Sequence, residues 1–281
     1  MSFESWRDKD TPPHMHKNKF IVKGFRVYRS WLPCLTGSLL SIHNETGNIW
    51  TSLFSALIVL ILTSNLAIRH PGSHWDIVHF YLGLALIFLH LILTALYHIG
   101  CQIPHQYHFW SAVDLMGVSL ALLGIDIVLV GAGYRLFAPE HLFAEVEHFA
   151  SMGVIILSMV VIAFYRARRN KETSLSILLL FLLPQVSISI VKYVIEESSR
   201  NSRRGFLSLL LLIIGAFLYA SKIPERWLKG RFDFVGHSHM SWHICYFSGL
   251  YLMITDIYIQ SFGSPHVLWD TGPSAVSSNP S

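Results

Sequence analysis

Long apolar runs separated by short polar stretches dominate the chain. Seven runs reach or approach the roughly 20 residues that a helix needs to cross a bilayer. They lie at 49–68, 77–97, 112–132, 150–165, 175–195, 206–221 and 240–261. These runs predict an all-α membrane protein, a bundle of seven transmembrane helices.

Composition supports a membrane protein and excludes other classes. The 281 residues are 52% hydrophobic and 14% charged, and the mean hydropathy is +0.47. This leaves too little polar surface for a soluble globule. The net charge of +4 does not suggest nucleic acid as a partner, because the basic residues are scattered among loops. Three widely separated cysteines argue against a disulfide framework and against a cysteine-rich zinc finger.

The distribution of basic residues predicts the orientation. Most of the 21 Lys and Arg residues fall in the N-terminal segment and in the loops after the fourth and sixth runs. With seven spans these regions share one side, which the positive-inside rule makes cytosolic. We therefore expect a cytosolic N-terminus and an external or lumenal C-terminus, opposite to a G-protein-coupled receptor, in the plasma membrane or the Golgi.

Three regions follow from this topology. Residues 1–42 are predicted to form a cytosolic N-terminal segment, and residues 43–262 a seven-helix transmembrane domain. Residues 263–281 are rich in Ser, Pro and Gly and are predicted to form a flexible tail on the outer side.

Histidines mark the candidate chemistry. His239 and His243 open the seventh run four residues apart, a spacing that stacks side chains on one helix face about 5–6 Å apart. His98 ends the second run, on the same predicted side of the membrane. Ionisable residues are costly where water is scarce, so this joint placement indicates a site. The alternative is that they are interfacial or structural, hydrogen-bonded side chains.

Carboxylate and amide groups enter from that side too. Asp114 begins the third run, and Glu45 and Asn48 precede or begin the first. Three imidazoles with a nearby carboxylate suit Zn²⁺, whose catalytic sites activate water for hydrolysis. Inside a bilayer the substrate would be a lipid amide or ester. For Glu45 and Asn48, capping of the first helix is the plain alternative.

Several motifs follow one another along the chain: Ser-Ile-His-Asn-Glu-Thr-Gly-Asn-Ile-Trp-Thr at 41–51, Tyr97-His98, Val-Asp-Leu-Met-Gly at 113–117, Ile-Pro-Glu-Arg at 223–226, Gly-Arg-Phe-Asp at 230–233, and Ser238-His239 with His243. Together they resemble a known family, the progestin and adipoQ receptors, which are adiponectin-receptor-like and related to haemolysin III. The resemblance runs from about Gly24 to the end of the seventh run.

The resemblance implies seven helices and one zinc ion held by His98, His239 and His243, with Asp114 acting on the water. It also implies a role as a receptor for adiponectin or progestins, and in some members a zinc-dependent ceramidase activity. Three positions depart from the family pattern: Ser52 replaces a histidine, Thr94 replaces a serine, and Met240 replaces a glutamine. We expect Ser52 to weaken a polar contact near the site and Met240 to remove a hydrogen bond at its mouth.

We therefore expect a zinc-dependent hydrolase of ceramide or a related sphingolipid. Asp114 is the predicted catalytic group, and Glu45, Asn48 and Thr94 form the supporting polar shell. A hormone or protein ligand and a homo-oligomer are further candidate partners. The alternative is a signalling receptor without turnover, in which zinc is structural. A transporter is less favoured, because the ionisable residues gather at one side instead of along a path.

Overall fold

The computed structural model describes residues 15, 18–69, 75–132 and 203–262, with isolated positions at 153, 154, 157, 161, 191, 193 and 194. Across these ranges the regular structure is helical, without a strand. The six helices are α1 (Trp31–Leu40), α2 (Thr46–Arg69), α3 (Trp75–Gly100), α4 (Tyr107–Gly131), α5 (Arg203–Ser221) and α6 (Ser238–Phe262). A short 3₁₀ turn, Pro104–Gln106, joins α3 to α4.

The all-α prediction is confirmed, and five predicted runs correspond to helices α2 to α6. Within the described residues, four segments are long and apolar enough to cross a membrane: Thr46–Leu66, Ile77–Gly100, Pro104–Leu129 and Arg203–Ser221. The predicted runs at 150–165 and 175–195 lie almost wholly outside the described residues. The count of seven spans and the orientation of the termini therefore stay predictions.

Helix α1 is not among the predicted segments. It is only 10 residues long and carries Pro33 in its first turn. A helix of this length is too short to be recognised as a membrane-spanning run. Its carboxyl end is held by the buried guanidinium of Arg26, which donates to the carbonyl of Gly37 at 2.6 Å and to the hydroxyl of Ser38 at 3.1 Å. Helix α1 packs against α3 and α2, so the start of the chain contributes to the fold.

Helices α3 and α4 meet at a pair of glycines. A Cβ atom on Gly83 would lie 2.6 Å from the carbonyl oxygen of Gly124, and one on Gly124 would lie 2.6 Å from the carbonyl oxygen of Gly83. Real Cβ atoms do not approach so closely, so only glycine fits at either position. Small residues of this kind let two membrane helices pack backbone to backbone.

The core lies between the inward faces of α2, α3, α4 and α6. Its largest fully buried side chains on α3 include Phe80, Leu84, Ile87 and Leu91, which repeat every three or four residues as one helix face requires. Helix α6 packs on α2 and on α5. This arrangement brings the end of α3 beside the start of α6, where the candidate histidines lie.

The loop before α6 is held by the buried carboxylate of Glu225. The backbone N–H of Ser238, at the start of α6, donates to Glu225 Oε2 at 2.7 Å, and the Ser238 hydroxyl donates to Oε1. Asn18 Nδ2 donates to Oε1 at 2.8 Å. Burial alone would raise the pKa of Glu225, but these hydrogen bonds outweigh it and bring the pKa below its ordinary value of 4.5. An anionic side chain at a helix N-terminus also interacts favourably with the helix dipole.

We expect Glu225→Gln to lower the thermal stability of the purified protein, by roughly 1.5–3 kcal/mol, the usual magnitude for hydrogen bonds to a charged group. Because the folded pKa is depressed, the Glu225 contribution is complete above about pH 4.5 and declines as the pH falls through the folded pKa. The difference in melting temperature between the variant and the wild type should therefore shrink below that pH. The exposed Lys229→Ala is the control. Equal melting temperatures for Glu225→Gln and wild type near neutral pH would contradict this role.

Candidate metal centre

Three imidazoles from two helices meet beside the core. His98 lies in the last turn of α3, while His239 and His243 occupy the first two turns of α6. One nitrogen from each of the three rings lies within 4.8 Å of the other two. The ring centroids form a nearly equilateral triangle, with sides of 5.1, 5.1 and 5.0 Å. This cluster could hold a metal ion, and three imidazole nitrogens are a donor set that Zn²⁺ accepts.

The second nitrogen of His98 is held by a carboxylate. Glu45 Oε2 lies 2.8 Å from His98 Nδ1, and Asn48 Nδ2 donates to the same oxygen at 2.7 Å. A carboxylate in this position makes Nδ1 the protonated nitrogen and leaves Nε2 as the free donor atom. Glu45 and Asn48 thus orient His98 from the start of α2.

Two hydroxyls orient His243 in the same way. Its Nδ1 atom lies 3.2 Å from Thr51 Oγ1 and 3.4 Å from Ser52 Oγ. Both hydroxyls donate to carbonyls of their own helix, Thr51 to Gly47 at 2.7 Å and Ser52 to Asn48 at 2.9 Å, so their oxygens are left to accept from the ring. Ser52, which replaces the family histidine, therefore keeps a polar contact at the site. Thr51 is a partner that the sequence motif alone did not identify.

Asp114 lies in the same cavity as the three histidines but is not among the clustered ligand atoms. Thr94 Oγ1 donates to Asp114 Oδ1 at 3.0 Å, which links the carboxylate of α4 to α3 one turn before His98. The Thr94 hydroxyl, which the family serine would also supply, thus helps to position Asp114.

His237 is placed away from the cluster. Its Nε2 donates to the carbonyl of Asn44 at 3.2 Å, and its Nδ1 accepts from the backbone N–H of Met240 at 3.3 Å. Both ring nitrogens are therefore occupied by backbone groups. Burial lowers the pKa of His237, which favours the neutral ring that this pattern requires. The ring joins the loop before α6 to the start of α2.

Met240 faces α2 at the edge of the site. Its thioether accepts from the backbone N–H of Gly236 at 3.2 Å. A Cβ atom on Gly47 would lie only 2.5 Å from Met240 Sδ, so the side chain packs directly on the α2 backbone. Methionine thus makes an apolar contact here and accepts one hydrogen bond through sulfur.

An apolar cavity of about 410 Å³ opens from the histidines. Its polar end carries the three histidines, Thr94 and Asp114. The remaining wall is formed mainly by apolar and aromatic side chains, namely Val118, Leu122, Ile125, Tyr193, Leu209, Leu212, Ile213, Ala216, Trp242, Tyr246, Phe247 and Met253. His90, buried and 3.4 Å from Thr94 Oγ1 through its Nδ1 atom, also lines the cavity. Its spacing of four from Thr94 and eight from His98 is the sequence signal that could have identified it.

The fold and the site together define a helical membrane protein with a buried cluster of three histidines at one end of an apolar cavity. Residues 40–254 match the haemolysin-III-related family model, and the chain belongs to that family, which includes the adiponectin-receptor-like proteins.

Individual relatives are similar at low identity. The chain is 28% identical over 269 residues to an uncharacterised protein of Schizosaccharomyces pombe, covering 89% of this chain and 58% of the relative. It is 28% identical over 246 residues to the adiponectin receptor protein of Drosophila melanogaster, covering 84% and 55%. It is 22% identical over 280 residues to membrane progestin receptor gamma of Mus musculus, covering 89% and 80%. The chain thus spans little more than half the length of the first two.

We expect His98→Ala or His243→Ala to reduce the metal content of the purified protein to background, because each removes one of three donors. His237→Asn is the matched control, since the asparagine oxygen can still accept from Met240 N–H. Elemental analysis by mass spectrometry, per mole of folded protein, measures the outcome. Loss of metal from the control, or full loading of His243→Ala, would contradict the assignment.

Proposed function

We propose that the chain is a zinc-dependent hydrolase acting on a ceramide-like lipid amide within the membrane. The observation that carries this proposal is the junction of the three histidines and Asp114 with an apolar cavity of about 410 Å³. An amphiphile suits such a site, because its chain can occupy the apolar wall while its polar group reaches the histidines.

His98, His239 and His243 would hold the ion, with Glu45 and the hydroxyls of Thr51 and Ser52 setting the ring orientations. When bound, Zn²⁺ supplies Lewis-acid polarisation of a carbonyl and activation of water.

Asp114 serves as the proton-transfer group of this hydrolysis. Addition of water to an amide carbonyl forms a C–O bond and releases a proton. Collapse of the adduct then breaks the C–N bond and requires a proton on the departing nitrogen. Asp114 lies in the same cavity, and it is held by the Thr94 hydroxyl at 3.0 Å. A carboxylate fixed in this way can take a proton from water and deliver it to the leaving amine. The apolar wall excludes bulk water from the lipid chain.

The other expectations about this protein remain proposals. Seven spans with a cytosolic N-terminus would place the histidines towards the cytosolic face. The names of the relatives, adiponectin receptor and membrane progestin receptor, favour a role in hormone or lipid signalling. They equally support the second candidate, a receptor in which the metal is structural and ligand binding changes helix packing.

We expect Asp114→Asn to lower the hydrolysis of a fluorescent short-chain ceramide by about 100-fold or more, the usual contribution of a general acid or base. The metal content should not change, because Asp114 is outside the ligand cluster. Thr94→Val should lose part of the activity, because it removes one hydrogen bond to Asp114, whereas Thr94→Ser keeps the hydroxyl and should retain the activity.

Reconstituted, metal-loaded protein is the sample for these assays. If the wild type hydrolyses neither ceramides nor other amide or ester lipids, the hydrolase proposal is wrong and the second candidate function, a receptor without turnover, remains. In that case Asp114→Asn should leave ligand-dependent signalling intact.

A further inference from the structure

His90 is a buried polar residue of the apolar cavity to which the proposed hydrolysis assigns no role. It lies on α3, one turn before Thr94 and two turns before His98, and it is 4% exposed. An imidazole in an apolar membrane cavity is unfavourable unless its nitrogens have partners. The partners of its two nitrogens therefore decide what His90 does.

The Nδ1 atom of His90 faces Thr94. It lies 3.4 Å from Thr94 Oγ1, whose hydrogen is donated to Asp114 Oδ1 at 3.0 Å. A hydroxyl carries a single hydrogen, so the Thr94 oxygen can only accept from the ring. Nδ1 is therefore the protonated nitrogen of the neutral ring, and Nε2 is a hydrogen-bond acceptor.

Neighbouring helices hold the ring in this orientation. On α4, a Cβ atom at Gly117 would lie 3.2 Å from His90 Nδ1, so the ring packs against a position without a side chain. On α6, the Tyr246 ring meets the His90 ring edge to face, with the centroids 6.0 Å apart. Because the two nitrogens lie on different sides of an imidazole, Nε2 points away from Thr94.

The Nε2 atom of His90 has no hydrogen-bond partner among the described residues. It differs from the enclosed unpartnered atoms, such as Asn48 Oδ1, which have almost no surface that a water-sized molecule can reach. His90 lines the cavity and keeps a small exposed fraction there. This acceptor is therefore accessible to a molecule in the cavity, and a donor on that molecule would satisfy it.

The depth of His90 in the cavity indicates which part of a ligand carries the donor. With a rise of about 1.5 Å per residue, His90 lies about 6 Å further along α3 from the histidine cluster than Thr94 does. Ile125, on the apolar wall, lies about 16 Å beyond Asp114 along α4. His90 is thus placed between the polar end of the cavity and its apolar end.

In the proposed reaction Asp114 delivers a proton to the amide nitrogen, so the amine portion of the lipid lies closest to Thr94 and His90. An acceptor one turn deeper then meets the carbon at which the alkyl chain of that portion begins. In a ceramide-like lipid this is carbon 3, whose hydroxyl oxygen is three bonds from the nitrogen. A neutral hydroxyl is also a less costly donor to bring into an apolar cavity than an ammonium group.

We propose that His90 is a specificity-determining residue, which accepts through Nε2 a hydrogen bond from the chain-side hydroxyl of an N-acyl amino alcohol. The substrate class is then narrower than lipid amides in general, because the amine portion must carry a hydroxyl where its alkyl chain begins. Placing this hydroxyl on the amine portion rests on the proposed function, whereas the acceptor in the cavity does not.

Equilibrium binding to the metal-loaded full chain in nanodiscs tests this without turnover. The probes are urea analogues of N-hexanoyl sphinganine, in which an N–H replaces the acyl α-carbon and slows hydrolysis. Removing the hydroxyl at carbon 3 should weaken binding about 3- to 10-fold, the usual effect of one hydrogen bond. Oxidising it to a ketone, which cannot donate, should do the same, while removing the hydroxyl at carbon 1 is the matched control. Equal affinities for the 3-hydroxy, 3-deoxy and 3-keto probes would overturn the proposal.

Two substitutions assign the effect to one nitrogen of the ring. Asparagine places its amide near the position of Nδ1, and glutamine places its amide near that of Nε2. His90→Asn should therefore abolish the difference in affinity between the 3-hydroxy and 3-deoxy probes, and His90→Gln should retain part of it. An undiminished difference in His90→Asn would contradict the proposal. Metal content and melting temperature report whether each variant folds, and the comparison of probes on the wild type needs no variant.

Hydrolysis assays separate this proposal from the proposed function. If binding depends on the 3-hydroxyl and on His90 but no amide or ester lipid is hydrolysed, the role of His90 stands and the hydrolase proposal is wrong. If N-hexanoyl sphinganine and its 3-deoxy analogue are hydrolysed with equal kcat/KM, the hydrolase proposal stands and the role of His90 is wrong.

Discussion

Imidazole rings can be buried among membrane helices only if their nitrogens have partners, and the site depends on this constraint. Glu45 holds the Nδ1 atom of His98 at 2.8 Å, and the hydroxyls of Thr51 and Ser52 hold that of His243. All three groups come from the first turns of α2 or the residue before it. The start of α2 is therefore the common support for rings carried by α3 and α6.

The same support extends into the segments outside the helices. His237 donates to the carbonyl of Asn44, and Glu225 accepts from the start of α6 and from Asn18. The N-terminal segment and the loop before α6 thus hold one another and fix where α6 begins. Since His239 follows directly on Ser238, an error in that starting point would displace two of the three rings.

How much of the fold and of the site can be predicted from the sequence depends on the kind of signal. Helices α2 to α6 could be predicted from the length of their apolar runs. Each begins two to five residues before the predicted run, because its first turn contains polar side chains. The spacing of His239 and His243 indicates their shared face. The contact of Glu45 with His98 joins residues 53 apart. The local sequence around Glu45 was therefore equally compatible with a role in capping the first helix. Thr51 and His90 acquire their roles only from packing between helices. The two predicted runs at 150–165 and 175–195 remain predictions.

The glycine pair between α3 and α4 has a mechanical consequence. Backbone atoms in direct contact have no side chains to repack, so this contact opposes sliding of α3 against α4 and favours a fixed offset between Thr94 and Asp114. A ligand that changes the size of the apolar cavity must then displace the opposite wall, which α5 and α6 provide. Because His239 and His243 are on α6, such a displacement would alter the spacing of the three rings. In the proposed function, the shape of a lipid in the cavity would therefore be coupled to the strength of metal binding.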